Sequence, residues 1–170
     1  LIAMVLACGP RILLADQPTT ALDVTVQDQI LKLIKRLRDT LGMTVAIVTH
    51  DLAVVAQTCD RVCVMYAGEI VESAPVRDLI ERPSHPYTLG LMKALPDASN
   101  TTRHLTQIPG SPPDLTQAHR GCRFADRCQF VEDACRTWDT QMLEIYSEHL
   151  ARCRRHYVVE RYVAERCIDG

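Results

Sequence analysis

Apolar residues fall in short blocks whose spacing changes along the chain. Residues 1–8 (LIAMVLAC) are apolar and helix-compatible, and Gly9-Pro10 stops that helix. Arg11 to Ala15 (RILLA) is a short apolar run ending in Asp16, the pattern of a buried strand. Over 24–41 the apolar positions Val26, Ile30, Leu33, Ile34, Leu37 and Leu41 recur at spacings of three and four, which predicts an amphipathic helix closed by Gly42. Thr44 to Thr49 (TVAIVT) is β-branched and predicts a second buried strand. A short helix follows over 52–58. Strands at 61–66 and 69–72 are joined by Ala67-Gly68, and short helices cover 75–82 and 86–95, with Pro83 and Pro86 as breakers. Strand, helix, strand with apolar strands implies a parallel sheet covered by helices, and the two strands after His50 read as a hairpin-like edge.

From Pro96 to Gly121 polar residues, Pro109, Gly110, Pro112 and Pro113 dominate, which reads as a linker. Residues 122–157 form a small cysteine-rich unit, and the pattern leaves the last dozen residues undecided between helix and frayed end. The expected organisation is therefore 1–95, a linker at 96–121, and an extension at 122–170. The chain has 170 residues, 47% hydrophobic and 24% charged, a globular balance that excludes disorder. A net charge of −2, from 19 basic and 21 acidic residues, argues against nucleic-acid binding by bulk positive charge. Aromatic residues, at 5%, are too few for base-stacking platforms. No apolar run approaches the roughly 18–20 residues that cross a bilayer. The chain lacks an initial Met and a signal-peptide pattern, and it opens mid-pattern, as a fragment of a longer protein is expected to.

Two short motifs carry chemistry. ILLAD is followed by Gln17, Pro18 and Thr19-Thr20-Ala21-Leu22-Asp23. An apolar strand ending in an acid places the Asp16 carboxylate at the carboxyl edge of a sheet, where α/β folds bind ligands and where Mg²⁺ is held through water. By itself the pattern favours the plainer reading, an Asp capping the next turn; the following QPTTALD turns it toward chemistry. Thr49-His50-Asp51 ends the next strand, where His50 can donate to a γ-phosphate or hold an attacking water. A lone His in such a place is more often a turn residue, and its position one strand beyond an acid-terminated strand is what favours chemistry.

ILLADQPTTALDVTVQDQIL, then VTHDLAVVA, then DRVCVMYAGEIVE resembles the ATPase subunits of ABC transporters over residues 1–95. The resemblance implies an α/β fold, the C-terminal part of an ABC-type (RecA-like) P-loop ATPase domain with a parallel sheet, plus a small cysteine-rich extension. It aligns Asp16 with the Walker B aspartate, Thr20 to Asp23 with the D-loop and His50 with the switch histidine. PTTALDVTVQ, HPYT at 85–88, IPGSPPDL at 108–115 and the GC-x5-C terminus are similar to the oligopeptide/dipeptide importer branch. In that family two ATPase domains sandwich ATP and Mg²⁺, which implies an interface place for Asp23; the plain alternative is a helix N-cap, and both can hold. Implied partners are a second ATPase subunit or domain, two transmembrane permease subunits and an extracytoplasmic peptide-binding protein, with no nucleic acid. The implied location is the cytoplasmic face of a bacterial inner membrane, and the implied function is energising the import of di- and oligopeptides.

The chain departs from the family twice. Active members have Glu after the Walker B aspartate, where Gln17 stands here; an amide cannot accept a proton, so hydrolysis is expected to be slow. Either an introduced change that traps the ATP-bound state or a naturally degenerate site explains it, and the intact surroundings favour the former. The Walker A loop, Q-loop and signature sequence are absent from these residues, so the isolated chain is not expected to bind ATP usefully.

Eight cysteines stand at 8, 59, 63, 122, 128, 135, 153 and 167. The first three lie in apolar segments and read as small hydrophobes. Cys122, Cys128, Cys135 and Cys153 are spaced C-x5-C-x6-C-x17-C, beside Arg123, Arg127, Arg136, Arg152, Arg154 and Arg155, whose charge is expected to favour thiolate. Four thiolates can hold a [4Fe–4S] cluster; zinc and four reduced structural thiols are the rivals, although zinc sites usually use closer pairs. The resemblance favours iron–sulfur, since some members of the branch hold such a cluster. Competing functions are nickel or glutathione import, a soluble non-transport ABC ATPase with an iron–sulfur cluster, and an iron–sulfur electron carrier.

Overall fold

The computed structural model describes residues 2–94, 107–138 and 141–168. The chain forms two compact units, residues 1–59 and 60–170.

In the first unit, α1 (Ile2–Leu6) precedes β1 (Ile12–Asp16), α2 (Val24–Leu41), β2 (Thr44–Val48) and α3 (Leu52–Thr58). The strands pair in parallel with Ile12 opposite Thr44 and Asp16 opposite Val48, so the order strand, helix, strand is realised as expected. Asp23 begins α2 by accepting from the Val26 N–H at 3.0 Å, and Gly42 ends it at φ 63°, the left-handed value that a residue without Cβ takes freely. Two expectations are corrected. The strands are not buried: Leu13 is, while Ile12, Leu14 and Val48 are 61%, 78% and 61% exposed, because an apolar run states affinity for a cover and not its presence. The buried residues of α2 are Leu31 and Ile34, while Leu41 is exposed.

The second unit is a four-stranded antiparallel sheet of order β3-β4-β6-β5, built from β3 (Arg61–Tyr66), β4 (Glu69–Pro75), β5 (Leu143–Tyr146) and β6 (His149–Ala151). Ala67 and Gly68, both at positive φ, make the two-residue turn of the β3–β4 hairpin. That hairpin is not an edge of the parallel sheet, as the sequence reading has it. Its β4 is an inner strand, pairing Glu72 with Ala151 and Ser73 with Leu150. The cysteine-rich segment is thus joined to residues 61–75 through one sheet, whereas the sequence reading separates them at 95 and 121. Helices α4 (Val76–Glu81), α5 (Pro86–Ala94), α6 (Asp133–Thr137) and α7 (His156–Ile168) complete the unit, with a 3₁₀ turn at Ala125–Arg127. Its core is Val64, Tyr66, Val71, Ala74, Leu79 and Phe124, with Phe124 edge-on to Tyr66 at 5.1 Å and Tyr87 tilted against Tyr66 at 4.7 Å. Of the expected linker, residues 96–106 lie outside the described residues; beyond them Ile108 packs on this core, held by Arg127, which donates to the Ile108 and Pro109 carbonyls.

Candidate functional site

Two candidate sites arise, one in each unit. In the first, parallel pairing brings the carboxyl ends of β1 and β2 side by side. The Gln17 N–H donates to the Val48 carbonyl at 2.8 Å, one step beyond the Asp16–Val48 pair. Asp16 and Gln17 therefore leave the sheet on the same edge as Thr49 and His50, and all of Asp16, Gln17 and His50 are exposed there. The turn after β1 is tight and unusual. Gln17 and Ala21 have φ of 44° and 64°, values that non-glycine residues adopt at a cost. Gln17 is held by Thr20, whose hydroxyl donates to the Gln17 side-chain oxygen at 3.0 Å. Asp51 caps α3, accepting from the Ala53 and Val54 N–H groups at 2.8 and 3.4 Å, while its other oxygen accepts from the Gln27 amide at 3.5 Å. Gln27, read from sequence as packing only, thus ties α2 to the start of α3 behind His50. Asp23 takes the plain role that the sequence left open, the cap of α2. Replacing Asp23 with Ala is expected to cost about 1 kcal/mol, measured by urea denaturation; a change below a third of that leaves the cap without energetic weight.

In the second unit Cys122, Cys128, Cys135 and Cys153 line one small cavity together with His85, Pro86, Phe124, Ala125, Phe130 and Arg152, Arg154 and Arg155. Local structure explains how they meet. Cys122 N–H donates to the Cys135 carbonyl at 2.8 Å, and Gly121 lies so close that an added Cβ would stand 2.5 Å from that same carbonyl oxygen. Cys128 ends the 3₁₀ turn, Cys135 sits on α6 and Cys153 follows β6 by two residues. Glu132 holds Arg154 at 3.1 Å and also pairs with Arg155. Backbone N–H groups point at sulfur: Phe130 to Cys128 at 3.4 Å and Arg155 to Cys153 at 3.3 Å. Among the described residues no three or more His, Cys, Asp or Glu side chains are placed to hold a metal ion, so the sulfurs border a common cavity without converging on one ion.

At three of the four cysteines burial opposes the thiolate form that the arginines were expected to favour. Burial pushes Cys122 upward, Cys128 to about 11 and Cys153 to about 12, with the neighbouring cysteines adding to the rise and Arg155 only weakly opposing it at Cys128. Three of the six arginines face elsewhere. Arg123 pairs with Glu69 at 3.1 Å, Arg127 serves the 108–109 backbone, and Arg136 pairs with Asp126. Cys8 and Cys63 are exposed and not buried hydrophobes; the Cys63 thiol donates to Ser73 Oγ at 3.4 Å. The Cys167 side chain lies outside the described residues.

Sequence reasoning passed over the buried polar group beside this cavity. Glu72, fully buried, accepts from the Ser84 N–H at 2.7 Å, the His85 N–H at 3.0 Å and His149 Nε2 at 2.8 Å. The visible signal was Glu72 in a strand otherwise rich in apolar residues, with Ser84-His85-Pro86 downstream. Burial pushes His85 down to about 3. The folded state then resists the proton that the unfolded chain takes up below about 6.5. His85 contributes its full stability above that pH and loses it as pH falls toward 3. The expected loss is about 3 kcal/mol by pH 4, and denaturation at pH 7, 5 and 4 in the native protein and in His85→Phe isolates it; parallel slopes in the two would refute it.

Comparison with known proteins follows the same lines. Residues 71–135 match the family described as "Oligopeptide/dipeptide transporter, C-terminal region". The chain is 53% identical over 156 residues to the probable peptide ABC transporter ATP-binding protein of Sinorhizobium fredii, covering 91% of this chain and 47% of the relative. It is 49% identical over 160 residues to the oligopeptide transport ATP-binding protein OppD of Mycobacterium bovis, covering 93% of this chain and 26% of that protein. A solved structure of cbiO1 from Clostridium perfringens, part of an ABC transporter complex, overlaps 46% of this chain and 31% of its own, with 36% identity and a TM-score of 0.44. The chain spans at most about half the length of these curated relatives. The chain is similar to ATP-binding proteins of peptide and oligopeptide ABC transporters, and its residues 71–135 to their C-terminal region.

Proposed function

We propose that this chain is the Walker B, D-loop and switch-histidine portion of an ATPase subunit that energises peptide import. The observation that carries the reading is the shared carboxyl edge of β1 and β2, which presents Asp16, Gln17 and His50 together. In this reading Asp16 holds Mg²⁺ through water, His50 contacts the γ-phosphate, and Gln17 orients the attacking water without accepting its proton. The phosphate-cradling loop that the chemistry also requires is not among these residues. The exposed apolar side chains of Ile12, Leu14 and Val48 support a sheet covered by further polypeptide. In this reading the permease subunits supply the path and this chain docks at the cytoplasmic face; no described helix is long and apolar enough to cross a membrane. The test is co-purification with the permease subunits and peptide-stimulated ATP hydrolysis by the complex in proteoliposomes. Hydrolysis indifferent to peptide at every concentration refutes the reading.

We further propose that Cys122, Cys128, Cys135 and Cys153 hold a [4Fe–4S] cluster. The donor set supports this. Four sulfurs border one cavity, backbone N–H groups already point at two of them, and two buried donors of cavity-lining residues, His85 Nε2 and Arg155 Nε, have no acceptor among the described residues. Such a cavity suits an anionic guest that takes thiolate ligands and accepts hydrogen bonds at its own sulfur. The high thiol pKa values make loading release protons, so cluster assembly is expected to fall steeply as pH is lowered. Anaerobic purification is expected to yield brown protein with about four irons per chain, lost in Cys153→Ser. A colourless protein with stoichiometric zinc overturns it.

A further inference from the structure

We propose that His85 is the hydrogen-bond donor of the four-cysteine cavity, its Nε2–H directed to a sulfur of the iron–sulfur group held there, where it raises that group's reduction potential. The inference rests on the cluster reading above and adds a residue outside the ligand set. His85 is 1% exposed and borders the cavity lined by Cys122, Cys128, Cys135 and Cys153, and also a second, smaller one lined by Cys122 and Arg152. Its tautomer follows from its neighbours. The Tyr87 N–H donates to Nδ1 at 3.1 Å, so Nδ1 is the bare nitrogen and the ring hydrogen of a neutral imidazole belongs to Nε2. Nε2 is itself fully buried and has no hydrogen-bond partner among the described residues.

The ring is also held in place. Its backbone N–H is anchored on Glu72, its carbonyl accepts from Leu89 at 3.1 Å in α5, and its face leans on Phe124 at 5.9 Å between centroids. A buried N–H with no acceptor is costly in a folded protein and rarely persists without a guest to satisfy it. A neutral thiol is a poor acceptor, whereas a thiolate or sulfide of a cluster is a strong one. A hydrogen bond to such a sulfur stabilises the reduced, more negative cluster, and so raises its potential. Sequence reading used HPYT only as wording shared with a family. The fold places its histidine on the wall of the cysteine cavity, with its backbone N–H on Glu72.

The experiment uses the protein reconstituted anaerobically with ferrous iron and sulfide, titrated redox-wise with EPR detection. The native protein, His85→Phe and His85→Gln are compared. With iron content measured in each and potentials compared on loaded protein, the expected result is a more negative potential in His85→Phe and a partial return in His85→Gln, whose amide still offers an N–H. Equal potentials in native protein and His85→Phe at equal iron content overturn the role of His85 and leave the cluster reading standing. Failure of the native protein to take up iron overturns both. Should His85→Phe not fold, the native protein decides alone. With ¹⁵N-histidine and D₂O exchange, the reduced cluster is expected to show a weak ring-nitrogen coupling and an exchangeable deuteron, and the absence of both refutes the proposal.

Discussion

Replacing Gln17 with Glu is expected to raise ATP turnover of the assembled transporter by about 10²–10⁴-fold, the usual contribution of a positioned general base. The two side chains have nearly the same shape, and the present geometry favours the exchange. Gln17 leaves β1 with its N–H on the Val48 carbonyl, and its side-chain oxygen accepts from the Thr20 hydroxyl. A carboxylate at that place keeps the same acceptor toward Thr20 and adds an oxygen able to take a proton from water. ATP affinity is expected to change little, because the substitution alters the step and not Asp16, the proposed holder of Mg²⁺. Steady-state hydrolysis at saturating Mg-ATP, with nucleotide affinity measured in parallel, tests this. Equal turnover in the two proteins would show that position 17 carries no base function.

Glu72→Ala is expected to cost about 3–5 kcal/mol of stability, the range for breaking one partner out of a buried charged network. The carboxylate is completely buried and serves three donors, from Ser84, His85 and His149. Its removal leaves three buried N–H groups unanswered and a cavity behind. Against a typical domain stability of about 5–15 kcal/mol, that loss is a large share. Because Glu72 pairs with Ala151 through β4 and β6 and holds the His85 backbone, the damage should reach the cysteine cavity as well. Urea denaturation at pH 7 gives the number. A loss under about 1 kcal/mol would mean that water replaces the carboxylate and that the network is not buried in solution.

Local patterns were readable where one element decides its own shape. The three-and-four spacing of 24–41, the αL glycine at 42 and the β-branched run at 44–49 define α2 and β2 with no knowledge of their neighbours. Asp16, Gln17 and His50 were readable as a set because each ends or follows such an element, and parallel pairing then brings strand ends together. Strands of four and three residues are a different case. Leu143–Tyr146 and His149–Ala151 are too short for alternation to register; β6 forms because β4 offers it a partner, and β5 because β6 does. The cover over β1 was misread for the related reason that burial belongs to the neighbourhood of a strand and not to its letters.

The cysteine site divides along the same line. Residue types and spacing determined by themselves that four thiols are available, that an amide stands where a carboxylate is usual, and that the bulk charge is near balance. Only the tertiary structure decided that burial outweighs the arginines at Cys122, Cys128 and Cys153, that Arg123, Arg127 and Arg136 face elsewhere, and that Glu72 anchors the His85 backbone at the wall of the cysteine cavity. Chemical identity is carried by the chain one residue at a time. Acidity and hydrogen-bond partnership depend on which groups are excluded from water together, and that is settled only when distant segments pack.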